Sequence, residues 1–313
     1  MKPNLSRRTF MAGAAALGAA AVLQPAGRTL AVEPGDGPFR LGLNTATVRN
    51  LRRPLPELVD GAARTGYRAI EPWIEELQRI AAGGNGALKD LAKRIRDAGL
   101  TFDSAIGFAP WIVDDAAQRA KGLEQARRDM DLVLQAGGTG MAAPPSGAGG
   151  PIPVPAMGER YRALLDVAQK AGCRAHLEFW GASKTLGRLE TALEVIAAAD
   201  HPYATVLPDA YHLYKGGSDF ATVKKLTPQI LLVFHLNDYP AQPTREAIGD
   251  GHRVYPGDGI APTTALLRDL RDIGFQGTLS LELFNKEYQQ AGVEAVLRTG
   301  LDKMRAAVRK ALL

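Results

Sequence analysis

A chain of 313 residues can bury a large core, as one big domain or two ordinary ones. Hydrophobic residues make up 46% and charged residues 23%, the balance of a soluble globular protein. The single cysteine, Cys173, excludes an intramolecular disulfide, and the formal charge of +5 is concentrated at the N-terminus.

Lys2, Arg7 and Arg8 form a basic start, Met11 to Leu23 is an uncharged run of mostly Ala, Gly and Leu, and Gln24-Pro25-Ala26-Gly27 breaks it. This is signal-peptide anatomy, and the run is too short for a comfortable membrane span. Ser6-Arg7-Arg8-Thr9-Phe10-Met11 resembles the twin-arginine export signal, read by a bacterial machinery that moves folded proteins. An ordinary Sec signal or an uncleaved anchor is the plainer alternative. The expectation is a leader over residues 1–31, cleaved near Ala26 or Ala31, with the export machinery as a partner and a periplasmic mature chain without a membrane span. Residues 1–31 hold Lys2, Arg7, Arg8 and Arg28 and no acidic residue. Without them the chain is close to neutral and makes no electrostatic case for nucleic acid.

After the leader, short apolar runs alternate with amphipathic ones. Phe39–Asn44 predicts a strand and Pro54–Thr65 a helix, with Leu55, Leu58, Val59 and Ala62 near a 3.6-residue period. Strands follow at 67–71 and 100–106, separated by a helix at 87–98 that Gly99 stops. A long helix over 115–136 leads to a weak strand at 140–143, a helix at 155–171, a strand at 174–179 and a helix at 186–199. The remaining strands are expected at 204–207, 230–236 and 277–283, with helices near 220–226, 262–273 and 293–312 and a long loop from Asn237 to Gly259. Eight strand-helix pairs without a break in composition imply a parallel sheet covered by helices. Their number favours a closed (β/α)8 TIM barrel, typically about 250 residues, as a single domain over residues 38–312. An open doubly wound sheet is the alternative, but Gly42-Leu43-Asn44-Thr45 lacks the spacing of a phosphate-binding glycine loop.

In such a barrel the active site lies at the C-terminal ends of the strands. Glu178, Asp209, His235 and Glu282 all sit at or just after strand ends. Three carboxylates and one imidazole suit Mn²⁺, Mg²⁺ or Co²⁺, with Zn²⁺ also compatible. Each has an ordinary structural alternative: an ion pair for either glutamate, a turn cap for Asp209, a packed core ring for His235. His176, two residues before Glu178, shares its strand face and is read as a packed ring or a partner behind the ligands. Glu71 ends the second strand and faces the same mouth, as a substrate contact or an ion-pair partner. Trp73, Phe108, Trp111, Trp180 and Phe284 follow strand ends and are candidates to wall a sugar-sized pocket.

These residues resemble the sugar phosphate isomerase/epimerase family, the xylose isomerase-like barrels. The likeness covers roughly residues 38–312. It rests on Leu177-Glu178, Asp209-Ala210-Tyr211-His212, Phe234-His235-Leu236-Asn237-Asp238, Arg253 with Pro256-Gly257-Asp258-Gly259, and Leu281-Glu282. The resemblance implies Glu178, Asp209, His235 and Glu282 as ligands of one divalent ion, Mn²⁺ first. It implies Glu178 and Glu282 as the acid/base pair, and His212 and Arg253 as holders of substrate oxygens. Arg253 keeps its charge at any working pH, and Gly257 and Gly259 let their loop turn tightly over the site.

The chemistry so implied is proton transfer beside a carbonyl through an enediolate, giving isomerisation or epimerisation of a sugar or keto-sugar. A dehydratase acting on a keto-sugar or inosose is the close alternative. An unphosphorylated substrate is expected, because the chain has an export signal and no evident lysine or arginine cluster. A non-catalytic sugar-binding barrel is a weaker reading. So is an apurinic endonuclease, whose zinc site draws histidines from both halves of the barrel; here all five follow residue 175. Relatives often pair, so a homo-oligomer is compatible with the resemblance.

Overall fold

The computed structural model describes residues 36–313, and the expected leader at 1–31 lies outside the described residues. Seven regular strands run in parallel: β1 (Arg40–Asn44), β2 (Ala69–Glu71), β3 (Gly140–Ala143), β4 (Arg174–Glu178), β5 (Thr205–Leu207), β6 (Val233–His235) and β7 (Thr278–Leu281). Ladders join them in the orders β2-β1-β7-β6 and β3-β4-β5. Single parallel bridges close the circle. Val206 to Leu231 and Asp209 to His235 link β5 to β6; Ala69 to Thr101, Trp73 to Ile106 and Ala105 to Met141 link β2 to β3 through an eighth segment. The closed TIM barrel is therefore as expected.

That eighth segment corrects the strand expected at 100–106. Its backbone bonds to both neighbours, but Asp103-Ser104 interrupts a regular ladder, and Asp fits a pleated edge poorly. The Asp103 carboxylate turns to Thr101 at 2.9 Å and to Arg40 and Thr278.

The outer ring comprises α1 (Leu55–Thr65), α2 (Ile74–Ala81), α3 (Ala87–Asp97), α4 (Ala116–Gln135), α5 (Val154–Ala171), α6 (Leu189–Ala199), α7 (Ala210–Gly216), α8 (Thr263–Asp272), α9 (Lys286–Gln289) and α10 (Val293–Leu312). Three of these, α2, α7 and α9, lie where sequence periodicity predicts no helix. They are short, and a local acceptor starts each one: Glu76 takes the Trp73 N–H, Asp209 the His212 N–H, and Asn285 the Glu287 N–H. Among the described residues no helix is long and apolar enough to cross a membrane.

Strand alternation sets the two sides of the wall. Leu41, Leu43, Ile70, Leu177, Val206, Phe234, Leu279 and Leu281 face the helices and join one large apolar cluster. The opposite parity points into the barrel. There Ile106, Ala142, Leu207 and Val233 make a small apolar cluster, with Trp73 packed against it. Asn44, Glu71, His176, Glu178, His235, Ser280 and Glu282 share that inward parity and are buried. A buried ionisable group is expensive unless paired, so this concentration of charge at one end of the barrel needs a compensating chemistry.

Candidate active site

Asp209 leaves β5 just as α7 begins, and its two oxygens have separate partners. Oδ1 caps the helix by accepting the His212 N–H at 3.0 Å. Oδ2 accepts from Asn237 at 3.0 Å and from Arg253 at 2.9 Å. Glu282, just past β7, accepts from Asn44 at 3.1 Å through Oε1 and from the same Arg253 nitrogen at 2.8 Å through Oε2.

His235 ends β6 between these carboxylates. Its Nε2 lies 3.0 Å from Glu71 Oε2. Its Nδ1 lies 3.2 Å from Glu282 Oε2 and 3.5 Å from Asp209 Oδ2, yet makes no hydrogen bond. Donor atoms of Asp209, His235 and Glu282 all lie within 4.8 Å of one another. Around one ion with bonds of about 2.1 Å, tetrahedral donors stand about 3.4 Å apart, close to the spacing of Nδ1 from the two oxygens. A buried ring nitrogen turned toward two oxygens without bonding either fits a shared cation.

Glu178, the fourth expected ligand, is not in that close group. It ends β4 on the same inward face, and its Oε2 is buried without a partner. Burial pushes its carboxyl up to about 8; His235 opposes this, and Glu282, Asp209 and Glu71 add to it. Burial also works against ionised Asp209, but Arg253, His212 and His235 outweigh it and hold this carboxyl well below the usual range. For His235 burial disfavours the charged ring, while Glu282, Glu71 and Asp209 prevail and raise its basicity.

Glu71, expected as a substrate contact or an ion-pair partner, takes the second of these roles, against His235. Its Oε2 collects the Asn44 amide at 3.0 Å, the Ser280 hydroxyl at 2.6 Å and His235, leaving only Oε1 without a partner. A carboxylate behind an imidazole orients the ring, the arrangement found behind metal-bound histidines.

Arg253 is buried. Tyr211 and Phe284 flank its guanidinium, 4.5 and 5.0 Å from their ring centres, and Asp250 holds its outer nitrogen. The loop carrying it is clasped by Asp238, which accepts the Gly257 and Ala261 N–H groups at 3.0 and 2.9 Å. Gly257 has φ +89°, and a Cβ on Gly259 would sit 2.2 Å from the Tyr239 carbonyl, so both glycines are required by the turn. His212 accepts the Gly181 N–H at Nδ1, 3.2 Å away, and its Nε2 lies 3.3 Å from Arg253 Nη2. Burial lowers its basicity to about 4, against the pull of Asp209.

An aromatic arc rims the mouth. Phe284, Trp73, Phe108 and Trp180 follow one another with ring centres 6.1, 5.2 and 6.1 Å apart. Trp111 is the exception among the expected wall residues: it is buried against Tyr161 and donates to the Pro144 carbonyl. His176 is a packed ring, 2.9 Å from Thr205 Oγ1. Sequence reasoning missed Asn44, Asn237 and Ser280. Their only signal was a polar side chain at an inward strand position or just beyond a strand end.

The profile of a family described as xylose isomerase-like TIM barrel matches residues 59–307. The inosose isomerase of Bacillus velezensis is 29% identical over 148 residues, 47% of this chain and 52% of that protein. The chain thus spans about half the length of that relative. The 3-dehydroshikimate dehydratase of Pseudomonas putida is 24% identical over 82% of this chain and 40% of its own. The crystal structure of the IolI protein with a bound zinc atom superposes with a TM-score of 0.80 at 22% identity, over 88% of this chain and 99% of that one. At that identity the superposition speaks for the fold.

Proposed function

Because the chain belongs to the xylose isomerase-like TIM barrel family, we propose that it is a divalent-metal-dependent isomerase or epimerase of a keto-sugar or related cyclic polyol. The observation that carries this is His235 Nδ1, buried and unbonded between Glu282 and Asp209 at one end of the barrel. Asp209, His235 and Glu282 would hold the ion, with Glu178 completing the set. An ion held there supplies Lewis-acid polarisation of a substrate carbonyl.

The protein groups then have separate tasks. Glu178 Oε2 has no competing partner, so it is the carboxylate free to take the proton from the carbon beside the carbonyl. Glu282, steadied by Asn44 and Arg253, is the group placed to deliver a different proton, taken up from solvent, to the opposite face or the adjacent carbon, while Glu178 releases the one it took to solvent after turnover. Arg253 offers a fixed positive charge to the substrate oxygen on which negative charge develops. His212, buried beside Arg253, would face a neighbouring substrate hydroxyl. The aromatic arc supplies faces against which the C–H side of a sugar ring packs and keeps water out.

Loss of a β-hydroxyl from the same deprotonated substrate is the second reading. The match to a 3-dehydroshikimate dehydratase over 82% of the chain supports it. One experiment addresses both: the ion-loaded protein is incubated in deuterated water with a panel of keto-sugars and inososes. Exchange beside the carbonyl is expected, with product analysis separating a moved carbonyl, an inverted centre and lost water. Tight binding without exchange would sink the enzymatic reading.

The Ser6-Arg7-Arg8-Thr9-Phe10 motif and the uncharged run after it support export through the twin-arginine pathway to the periplasm. Arg7→Lys/Arg8→Lys should abolish processing and export; unaltered export would defeat this part.

A further inference from the structure

Beside the mouth lies a cleft of about 600 Å³ that the proposed chemistry does not use. It opens between the 3-10 turn after β1 (Thr45–Leu51) and α2, and Trp73 is the wall it shares with the aromatic arc. Through its indole N–H, Trp73 bonds Asn44 at 3.0 Å, and Asn44 in turn holds Glu71 and Glu282. Two bonded side chains, Trp73 and Asn44, therefore link the cleft to the buried carboxylates.

Its lining is basic. Arg49, Arg52, Arg53 and Arg79 stand against two carboxylates, Glu75 and Glu76. Glu76 is already committed, taking the Thr45 hydroxyl at 2.6 Å and the Trp73 N–H at 2.8 Å. Glu75 is paired with Arg49, which lies 4.0 Å over the Trp73 ring. Arg53 reaches Glu57 only at 3.8 Å, between exposed groups. The guanidinium groups of Arg52 and Arg79 have no hydrogen bond or ion pair with any described residue; that of Arg79 feels Glu76 from a distance. Arg52 also has φ +49°, in the left-handed region where glycine or asparagine is the cheaper occupant. Three of these residues are close in sequence, and the fold adds Arg79 from the next strand-helix unit, a grouping that the expectation of no evident arginine cluster did not foresee.

Under-neutralised guanidinium groups around a concave surface focus a positive field and offer forked donors to carboxylate or phosphate oxygens. We propose that this cleft is an anion subsite seating a carboxylate or phosphate, and that this group is carried by the molecule whose reactive end occupies the mouth. The second half rests on the reading of the mouth as a keto-sugar site; the first half does not.

Calorimetric titration of the full, ion-loaded chain with inorganic phosphate, D-glucuronate and D-glucose tests it. The comparison is an Arg52→Gly/Arg79→Gln double variant. Glycine suits the left-handed backbone and Arg79 is exposed, so this variant should keep the wild-type melting temperature. An Arg52→Lys/Arg79→Lys variant provides the charge rescue. Both anions are expected to bind at least about tenfold more weakly to the double variant and to recover most of that with lysine, while glucose is unaffected. Added salt should weaken anion binding in the wild type. Loss of phosphate binding alone, with glucuronate unchanged, would keep the anion site and overturn its link to the molecule in the mouth. Equal anion affinities in wild type and variant, or no anion binding at all, overturn the site. Arginine-dependent phosphate binding by a chain that shows no exchange beside any carbonyl defeats the enzymatic reading alone.

Discussion

His235 directs Nδ1 at Glu282 Oε2 across 3.2 Å without bonding it. The same ring gives Nε2 to Glu71 at 3.0 Å, so both of its nitrogens are aimed at carboxylates. The arrangement leads to a first expectation. The purified chain, stripped with a chelator and then exposed to Mn²⁺ or Zn²⁺, takes up one ion per molecule. Asp209→Asn and His235→Gln should each weaken that binding by at least about 100-fold. Glu71→Gln, which loses only the partner behind the ring, should cost about 10–100-fold. Elemental analysis after dialysis checks this, and a wild-type chain that retains no ion contradicts it.

A second expectation concerns acidity in the stripped protein. The Glu178 carboxyl is pushed up to about 8, whereas in the unfolded chain it ionises near its ordinary value. Between those values the folded state holds a proton that the unfolded state has lost. Stability contributed by Glu178 therefore falls as pH rises from about 4.5 to about 8, by an amount on the order of a few kcal/mol. Glu178→Gln removes this slope. In chelator, the variant should melt above the wild type at pH 8, with the gap closing toward pH 5; a gap that does not change with pH would refute the assignment. Because the ion must displace the same proton, wild-type ion affinity should also weaken as pH falls below about 8.

Asn44 is expected to matter for stability before it matters for anything else. Its amide donates to Glu71 and Glu282 and its carbonyl accepts from Trp73 and Ala46. Asn44→Ala leaves buried carboxylate oxygens short of a donor, at about 1–3 kcal/mol. Asn44→Asp should be worse, since it sets a third carboxylate beside two. Urea unfolding in chelator reads both, and a neutral Asn44→Asp would contradict the account.

Two half-buried members of the aromatic arc allow a kinetic comparison. Trp180 touches Phe108 and is not bonded to the buried cluster, so Trp180→Ala should raise KM by up to about tenfold with little change in kcat. Trp73→Phe keeps the ring but loses the bond to Asn44, so kcat should fall as well. Identical kinetic effects from both substitutions would mean that the Asn44 contact does not position the acid/base pair.

Much of this architecture was legible because it is periodic. Alternation of apolar and polar residues in β1, β4 and β7 marked the strands and also the inward face that carries Asn44, Glu178 and Ser280. The segment at 101–106 was less legible, since apolar residues announce a strand while Asp103 breaks its ladder. Short helices such as α7 and α9 have too few residues for a period to register, and capping by Asp209 and Asn285 creates them locally. Site residues with unusual chemistry in apolar runs, Glu178 and His235 among them, stood out for the same reason that they are expensive to bury. Asn44 and Asn237 did not, because a neutral amide after a strand is common and only its partners across the barrel give it meaning. The burial of Arg253 was invisible for a different reason: its loop is long and polar, and Asp238 and Tyr211 fold it inward from elsewhere in the chain.

Asp209 commits one oxygen to the first turn of α7. A carboxylate fastened in this way can present a centre with a single tooth, never a two-toothed bite. Glu282 is limited similarly, with one oxygen turned to Asn44. A spherical ion that gathers about six to eight oxygens, as calcium does, would be left under-coordinated, whereas a smaller ion satisfied by about four to six well-spaced donors would not. In the proposed metal site, discrimination between ions would thus be written into the helix cap, at a position that on its own looks like ordinary secondary-structure punctuation.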